Sequence, residues 1–311
     1  MRVLITGISG FLGRHLAPKL LAEGHEVFGI RLDEGEALEG VVERQVDILN
    51  VPDLNSVVAD FSPEVVVHLA GLSHVGRSWD QMPEYFAVNV LGVENVLAAA
   101  TGAKVIFASS SEVYGAVPPE QQPILESRRP APRNPYGLTK AASERLILAA
   151  GGIVVRTFNL IGPGQETIFA LPGFAAQLAG QTGRTGQTGA DSAVIKVGNL
   201  EAKRDFVHVS DGADAYAILV EHGEPGGIYN LGGGRPTSIR EALDRLIEIT
   251  GQTVSIEIDS ERLRPIDIPL LCADASKLKE LGWRPRLGLT RALEDLWQAA
   301  SAPSSEARNF A

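Results

Sequence analysis

Residues 108–115 read "ASSSEVYG", a run of hydroxyls followed by a carboxylate and a phenol. A serine such as Ser110 can donate a hydrogen bond to a carbonyl oxygen. Two residues on, Glu112 could take a proton from carbon, or could simply cap a nearby turn. The first arrangement suits reduction of a ketone, the second elimination of water. A further pair stands in "YGLTK", where Lys140 follows Tyr136 by four residues. On a helix those positions share a face. A neighbouring ammonium favours the phenolate and lowers the tyrosine pKa toward working pH, so Tyr136 can exchange a proton with an alcohol or ketone oxygen.

These groups need a scaffold. Apolar, β-branched runs of strand length lie at 2–6, 26–30, 41–46, 64–70, 104–110 and 152–158, and helical patterns at 11–23, 52–60, 84–100 and 136–150 fall between them. Continuous rather than alternating apolar strands are those buried on both faces. The rhythm predicts an α/β fold with a doubly wound parallel sheet, Rossmann-like, over residues 1–160. It fails after "GPGQ" (162–165). Residues 161–311 read as mainly a smaller substrate-binding lobe, some segments of which return to the first domain. The lobe mixes helices at 210–222, 238–250 and 290–299 with short strands such as "GIYNL" and "VSIEI". "YGLTK" then opens the helix after the fifth strand, whose end carries "SSSE". Both meet at the carboxyl edge of the sheet, where α/β proteins bind ligands.

The first strand runs into "TGISGFLGRHL". Gly7 permits the tight turn, Gly10 lets a phosphate approach the backbone, and Gly13 lets helix pack on strand, with Phe11 and Leu12 opening the helix. A pyrophosphate is favoured at that helix's positive end. The spacing, after a strand and opening a helix, predicts a dinucleotide site. At the second strand's end an acid would bind a ribose 2′-hydroxyl and an arginine a 2′-phosphate. Arg31 stands there and Asp33 two residues later, so NADP(H) is favoured and NAD(H) remains open. Asp47 and Ile48, in "VDIL", reach the adenine edge or stand as a solvated strand end.

The bulk numbers exclude several classes. The net charge of −10 over 311 residues argues against nucleic acid or an anionic membrane as partner. One cysteine, Cys272, excludes an internal disulfide and a cysteine-built metal site, and suits a reducing cytoplasm. The six histidines lack ligand spacing, so no metal is expected. "MRVLIT" begins in a strand-like run, and no apolar run reaches the length of a membrane span, which predicts a cytoplasmic protein.

Taken together, the glycine turn, the serine before "VYG" and the Tyr-x3-Lys pair resemble the extended short-chain dehydrogenase/reductases that act on nucleotide sugars. The likeness spans nearly the whole chain. "HLAGLSHVGRSW", "FNLIGPGQ", "VGNLEAKRDFVHVSD" and "RPIDIPLLCADASKLKELGW" are similar to the GDP-sugar branch. Within it they are closer to reductases of GDP-4-keto-6-deoxymannose, which form GDP-rhamnose, than to GDP-mannose 4,6-dehydratases. The resemblance implies that Ser110 binds the C4 oxygen, Tyr136 is the general acid/base, and Lys140 orients ribose. It implies dinucleotide contacts at Leu69, Ala70 and Gly71, and nucleotide-sugar contacts at Ser73, Asn159, Val197, Arg204 and Arg264, the arginines toward diphosphate. In the dehydratases the motif reads Thr-x-Glu; here the glutamate is present and the threonine is serine. Asn89 bridges to the site or is a buried amide. His68 packs beside the cofactor, His74 and Ser78 face sugar or water, and Trp283 is core or lid edge. A homodimer through the helices at 84–100 and 136–150 is also implied. A dehydratase or epimerase would share Tyr136 and Lys140. A non-catalytic dinucleotide-binding regulator would not need Ser110 beside them.

Overall fold

The computed structural model describes residues 1–181, 193–263 and 266–302. From the N-terminus, β1 (Arg2–Thr6), α1 (Phe11–Ala22), β2 (Glu26–Arg31), β3 (Val42–Gln45), α2 (Val51–Phe61) and β4 (Val65–His68) alternate. There follow α3 (Met82–Phe86), a π-helical turn (Ala87–Leu91), α4 (Gly92–Ala99), β5 (Lys104–Ser110), α5 (Pro135–Ala149), β6 (Ile153–Thr157) and β7 (Asn159–Ile161). The second half holds α6 (Ala170–Ala179), β8 (Ala193–Val197), β9 (Lys203–His208), α7 (Val209–His222), β10 (Ile228–Leu231) and β11 (Pro236–Ser238). It ends with α8 (Ile239–Thr250), β12 (Val254–Ile258), β13 (Leu270–Leu271), α9 (Ser276–Glu280) and α10 (Leu289–Ser301).

Among the described residues the main sheet runs β10-β6-β5-β4-β1-β2-β3, all parallel. Side chains alternate along β1, so Val3 and Ile5 enter one core with Leu16, Leu20, Tyr216 and Leu219. Leu4 enters the other with Leu54, Val66, Val96 and Phe107. Both faces are thus covered, as the unbroken apolar runs require. The chain leaves the middle of the sheet in opposite directions from β1 and β4, which pair with Thr6 opposite His68. A crevice opens at such a switch point.

Two segments depart from expectation. "GIYNL" is not part of the second lobe: β10 pairs with β6 at the edge of the main sheet, and α7 packs on α1. A short apolar strand has the same pattern in either place. The helix expected over 84–100 is divided into α3, the π-helical turn and α4. At that turn the Asn89 carbonyl accepts a bond from the Ser143 hydroxyl at 2.6 Å. The second lobe has its own core, where Leu171, Phe174 and Leu178 of α6 meet Leu243 and Leu246 of α8 and Leu293 and Leu296 of α10. Among the described residues no helix is long and apolar enough to cross a membrane.

Candidate active site

The carboxyl ends of β1, β4, β5 and β6 face the second lobe across a cleft of about 1360 Å³. A single small ligand needs roughly 300–1,000 Å³, so the cleft has room for two.

The β1–α1 turn forms one end. Gly7 takes φ +71°, and a Cβ there would stand 2.7 Å from the Ala70 nitrogen. A Cβ on Gly13 would stand 2.4 Å from the Ile8 carbonyl oxygen, so α1 and the turn after β1 touch only because the side chain is absent. Gly10 meets only the Gly7 carbonyl, at 3.1 Å, and caps α1 without any side-chain bond. The first-turn amides of a helix have no partner within it. A backbone open on the cleft with an uncapped helix behind it fits a pyrophosphate.

The reactive groups gather at the β5–α5 junction. Asn134 caps α5: its Oδ1 accepts from the Gly137 amide at 2.7 Å, while its Nδ2 donates to Glu112 Oε2 at 2.7 Å. Glu112 thus lines the cleft with one carboxylate oxygen bound to the cap of the tyrosine helix. The hydroxyl of Ser110 accepts from the Glu112 amide at 3.2 Å and lies near enough to the Tyr136 phenol to act on its titration. The Lys140 ammonium donates to the Ala108 carbonyl at 2.9 Å and lies 4.7 Å from the centre of the Phe107 ring. Burial pushes the Tyr136 phenol above its ordinary range; Ser110 opposes this and the charge of Glu112 adds to it. Sequence had suggested a phenol lowered by Lys140. Here the ammonium is turned to Ala108 and burial dominates, so the phenol stays protonated. Burial also pushes Lys140 down to about 8, against the charge of Glu144. His68 is pushed down to about 3 by burial and by Lys140, and its Nδ1 lies 2.6 Å from the Thr6 hydroxyl.

Phe11, Leu12, Leu69, Gly71, Ser73 and Asn159 line the same cleft; Ala70 lies against Gly7. Several other expected positions are elsewhere. Val197 is in the core of the second lobe, and its neighbours Gly198 and Asn199 face the cleft instead. Ile48 packs in the main core against Gly92, and Asp47 is exposed with its carboxylate accepting from the Leu49 amide. Arg31 is 5% exposed, held by Glu43 Oε2 at 3.1 Å and Asp33 Oδ2 at 2.9 Å. It is not the free guanidinium that the 2′-phosphate reading needs, because β3 brings Glu43 alongside it. Arg204 lines the cleft but is bonded to Asp267 at 2.7 Å and to the Ile268 carbonyl. Arg264 lies outside the described residues. Asn89 is a bridge: it bonds Leu72 through both backbone groups and donates to Thr139 on α5. His74 lines the cleft, Ser78 is buried on the Val75 carbonyl, and Trp283 is core, its indole donating to the Asp211 carbonyl.

Sequence reading missed Arg14, Arg77 and Arg262, which line the cleft, and Tyr216, whose hydroxyl lies 3.1 Å from that of Thr157. Arg14 directly follows the last motif glycine and was findable there. Tyr216 carries no local signal, since its helix returns from far along the chain. Among the described residues no group of His, Cys, Asp and Glu could hold a metal ion.

The profile of the NAD dependent epimerase/dehydratase family matches residues 3–232. GDP-6-deoxy-D-mannose reductase of Pseudomonas aeruginosa is 32% identical over 303 residues, covering 94% of each chain. The structure of RMD from Pseudomonas aeruginosa complexed with NADPH matches with TM-score 0.82 at 29% identity, over 97% of this chain and 99% of that one. That of Thermus thermophilus UDP-glucose 4-epimerase with NAD matches with TM-score 0.85 at 29% identity, over 96% and 98%.

Proposed function

The chain belongs to the NAD dependent epimerase/dehydratase family, and from that premise we propose that it reduces the C4 ketone of GDP-4-keto-6-deoxymannose to GDP-rhamnose. The observation that carries this reading is the bond from Asn134 to Glu112 beside a protonated Tyr136. It ties the acid to the residue that caps α5 and leaves the phenol as proton donor. The turn from Gly7 to Gly13 would hold the dinucleotide's pyrophosphate, and Lys140 its ribose. When bound, the reduced nicotinamide supplies a hydride. Ser110 donates to the ketone oxygen, which gathers negative charge as the carbonyl is reduced, and Tyr136 delivers the proton that makes it an alcohol. The lobe after residue 160, with Asn199 and Arg204 on its cleft side, binds the nucleotide sugar together with Asn159 at the lobe's entry. Either NADP(H) or NAD(H) fits, because the Arg31 charge is already matched by Glu43 and Asp33. The homodimer reading is supported by Met82, Phe86 and Leu91 with Leu138 of α5, apolar side chains exposed on adjacent helices.

The rival is a 4,6-dehydratase or 4-epimerase, whose hydride returns to the sugar so that no net cofactor is used. Purified protein given GDP-4-keto-6-deoxymannose and NADPH should oxidise NADPH in proportion to substrate. GDP-mannose alone should yield no keto sugar. The opposite pair of results makes it a dehydratase.

A further inference from the structure

The buried residues of α5 include Tyr136, Thr139, Lys140, Ser143 and Glu144, so the helix that carries the proton donor packs with a largely polar stripe. Apolar burial is non-directional and would tolerate small slips of such a helix. Hydrogen bonds hold in one register only. Tyr136, Lys140 and Glu144 stand four residues apart, one above another on the same face. They face three consecutive residues at the end of β5, Ala108 to Ser110, and two of them bond it directly. Lys140 donates to the Ala108 carbonyl at 2.9 Å and Glu144 accepts from the Ser109 hydroxyl at 2.6 Å, and these two bonds bring Tyr136 to the Ser110 side of the cleft. Arg156 of β6, directly opposite Ser109, grips the same carboxylate twice, at 2.9 and 2.7 Å. Both charged side chains are 3% exposed or less.

We infer that Glu144, held by Ser109 and Arg156, is a positioning residue that sets Tyr136 and Lys140 against Ser110 and supplies the anion facing Lys140. This rests on the reading of Tyr136 and Lys140 as the working pair. The charged and titratable groups acting on Lys140 come from two elements, Tyr136 and Glu144 on α5 and His68 on β4; the last is held neutral by burial. Asn89, close to Gly71 and Lys140, is uncharged. Glu144 therefore holds the ammonium in its charged form against the cost of burial.

The test uses two variants of the full chain. Ser109→Ala keeps both charges and removes only the tie to β5. It should lower kcat about tenfold, with KM for the nucleotide sugar nearly unchanged and the alkaline limb of the pH profile unmoved. Glu144→Gln should lower kcat on the order of 10²-fold, the cost of a ~1 Å misplacement. Its alkaline limb should move to lower pH, since Lys140 then loses its proton earlier. The pH dependence of NADPH binding, followed by nicotinamide fluorescence, should move in the same direction. Wild-type kcat in Ser109→Ala, or an unmoved limb in folded Glu144→Gln, overturns the inference. If removing the carboxylate prevents folding, by stranding Arg156, Ser109→Ala decides alone. The binding titration needs no turnover, so failure of the proposed substrate leaves this test intact.

Discussion

Glu112→Gln separates reduction from dehydration. The carboxylate receives a 2.7 Å bond from Asn134, which in turn caps α5 through Gly137. The amide oxygen introduced by the substitution can accept the same bond, so the cap survives. What is lost is charge assistance: a bond to an ionised acceptor contributes about 1.5–3 kcal/mol and a neutral one about 0.5–1.5. The difference of about 1 kcal/mol should lower the melting temperature by roughly 2–4 °C or less in a chain of this size. Ketone reduction needs the Ser110 hydroxyl and the Tyr136 proton, and neither is removed. Because the charge of Glu112 helps hold the phenol above its ordinary range, its removal makes Tyr136 a slightly better acid. Turnover of GDP-4-keto-6-deoxymannose, followed by NADPH absorbance, should therefore stay within about tenfold. A general base would lose about 10²–10⁴-fold. Conversion of GDP-mannose to keto sugar without added reductant, abolished by Glu112→Gln, would refute the reasoning.

Tyr136→Phe keeps the ring and removes the proton donor, so turnover should fall about 10²–10⁴-fold with nucleotide-sugar binding retained; near wild-type turnover removes Tyr136 from the mechanism. Glu43→Gln should release positive charge on Arg31 and shift the ratio of NADPH to NADH affinity about tenfold toward NADPH, one charge-assisted bond's worth; an unchanged ratio in dinucleotide titrations rules the Arg31 trio out of cofactor choice. His68 is neutral in the fold, with its pKa pushed from 6.5 to about 3. The unfolded chain binds that proton first, so stability is full above pH 6.5 and drains away as pH falls toward 3. Thermal melts on that range should show the loss, and His68→Asn should soften it; an equal acid slope in the variant excludes His68 as a source. Leu138→Glu places a charge on the exposed α5 face and should convert dimer to monomer in sedimentation, whereas a wild-type chain that is monomeric dismisses the dimer.

The parallel sheet was legible because strands buried on both faces must be apolar at every position, as in "EVVVHLA", and helices between them must keep one apolar stripe. The glycine turn was legible because each glycine answers a local contact: Gly7 against Ala70, Gly13 against Ile8. Tyr136 and Lys140 were legible because helical spacing alone puts them on one face. None of the corrections has such a local origin. Glu43 neutralises Arg31 because β3 lies beside β2 with Arg31 opposite Gln45. Glu112 is bound by a cap twenty-two residues further on. Glu144 and Arg156 carry no local signal in the sequence; the sheet makes them a pair by setting Arg156 across from Ser109. "GIYNL" reads the same in either lobe until it pairs with β6. Periodicity along a chain reports which side of an element is covered. It does not report what covers it, and a charge changes meaning entirely when a distant partner and low exposure replace water as its surroundings.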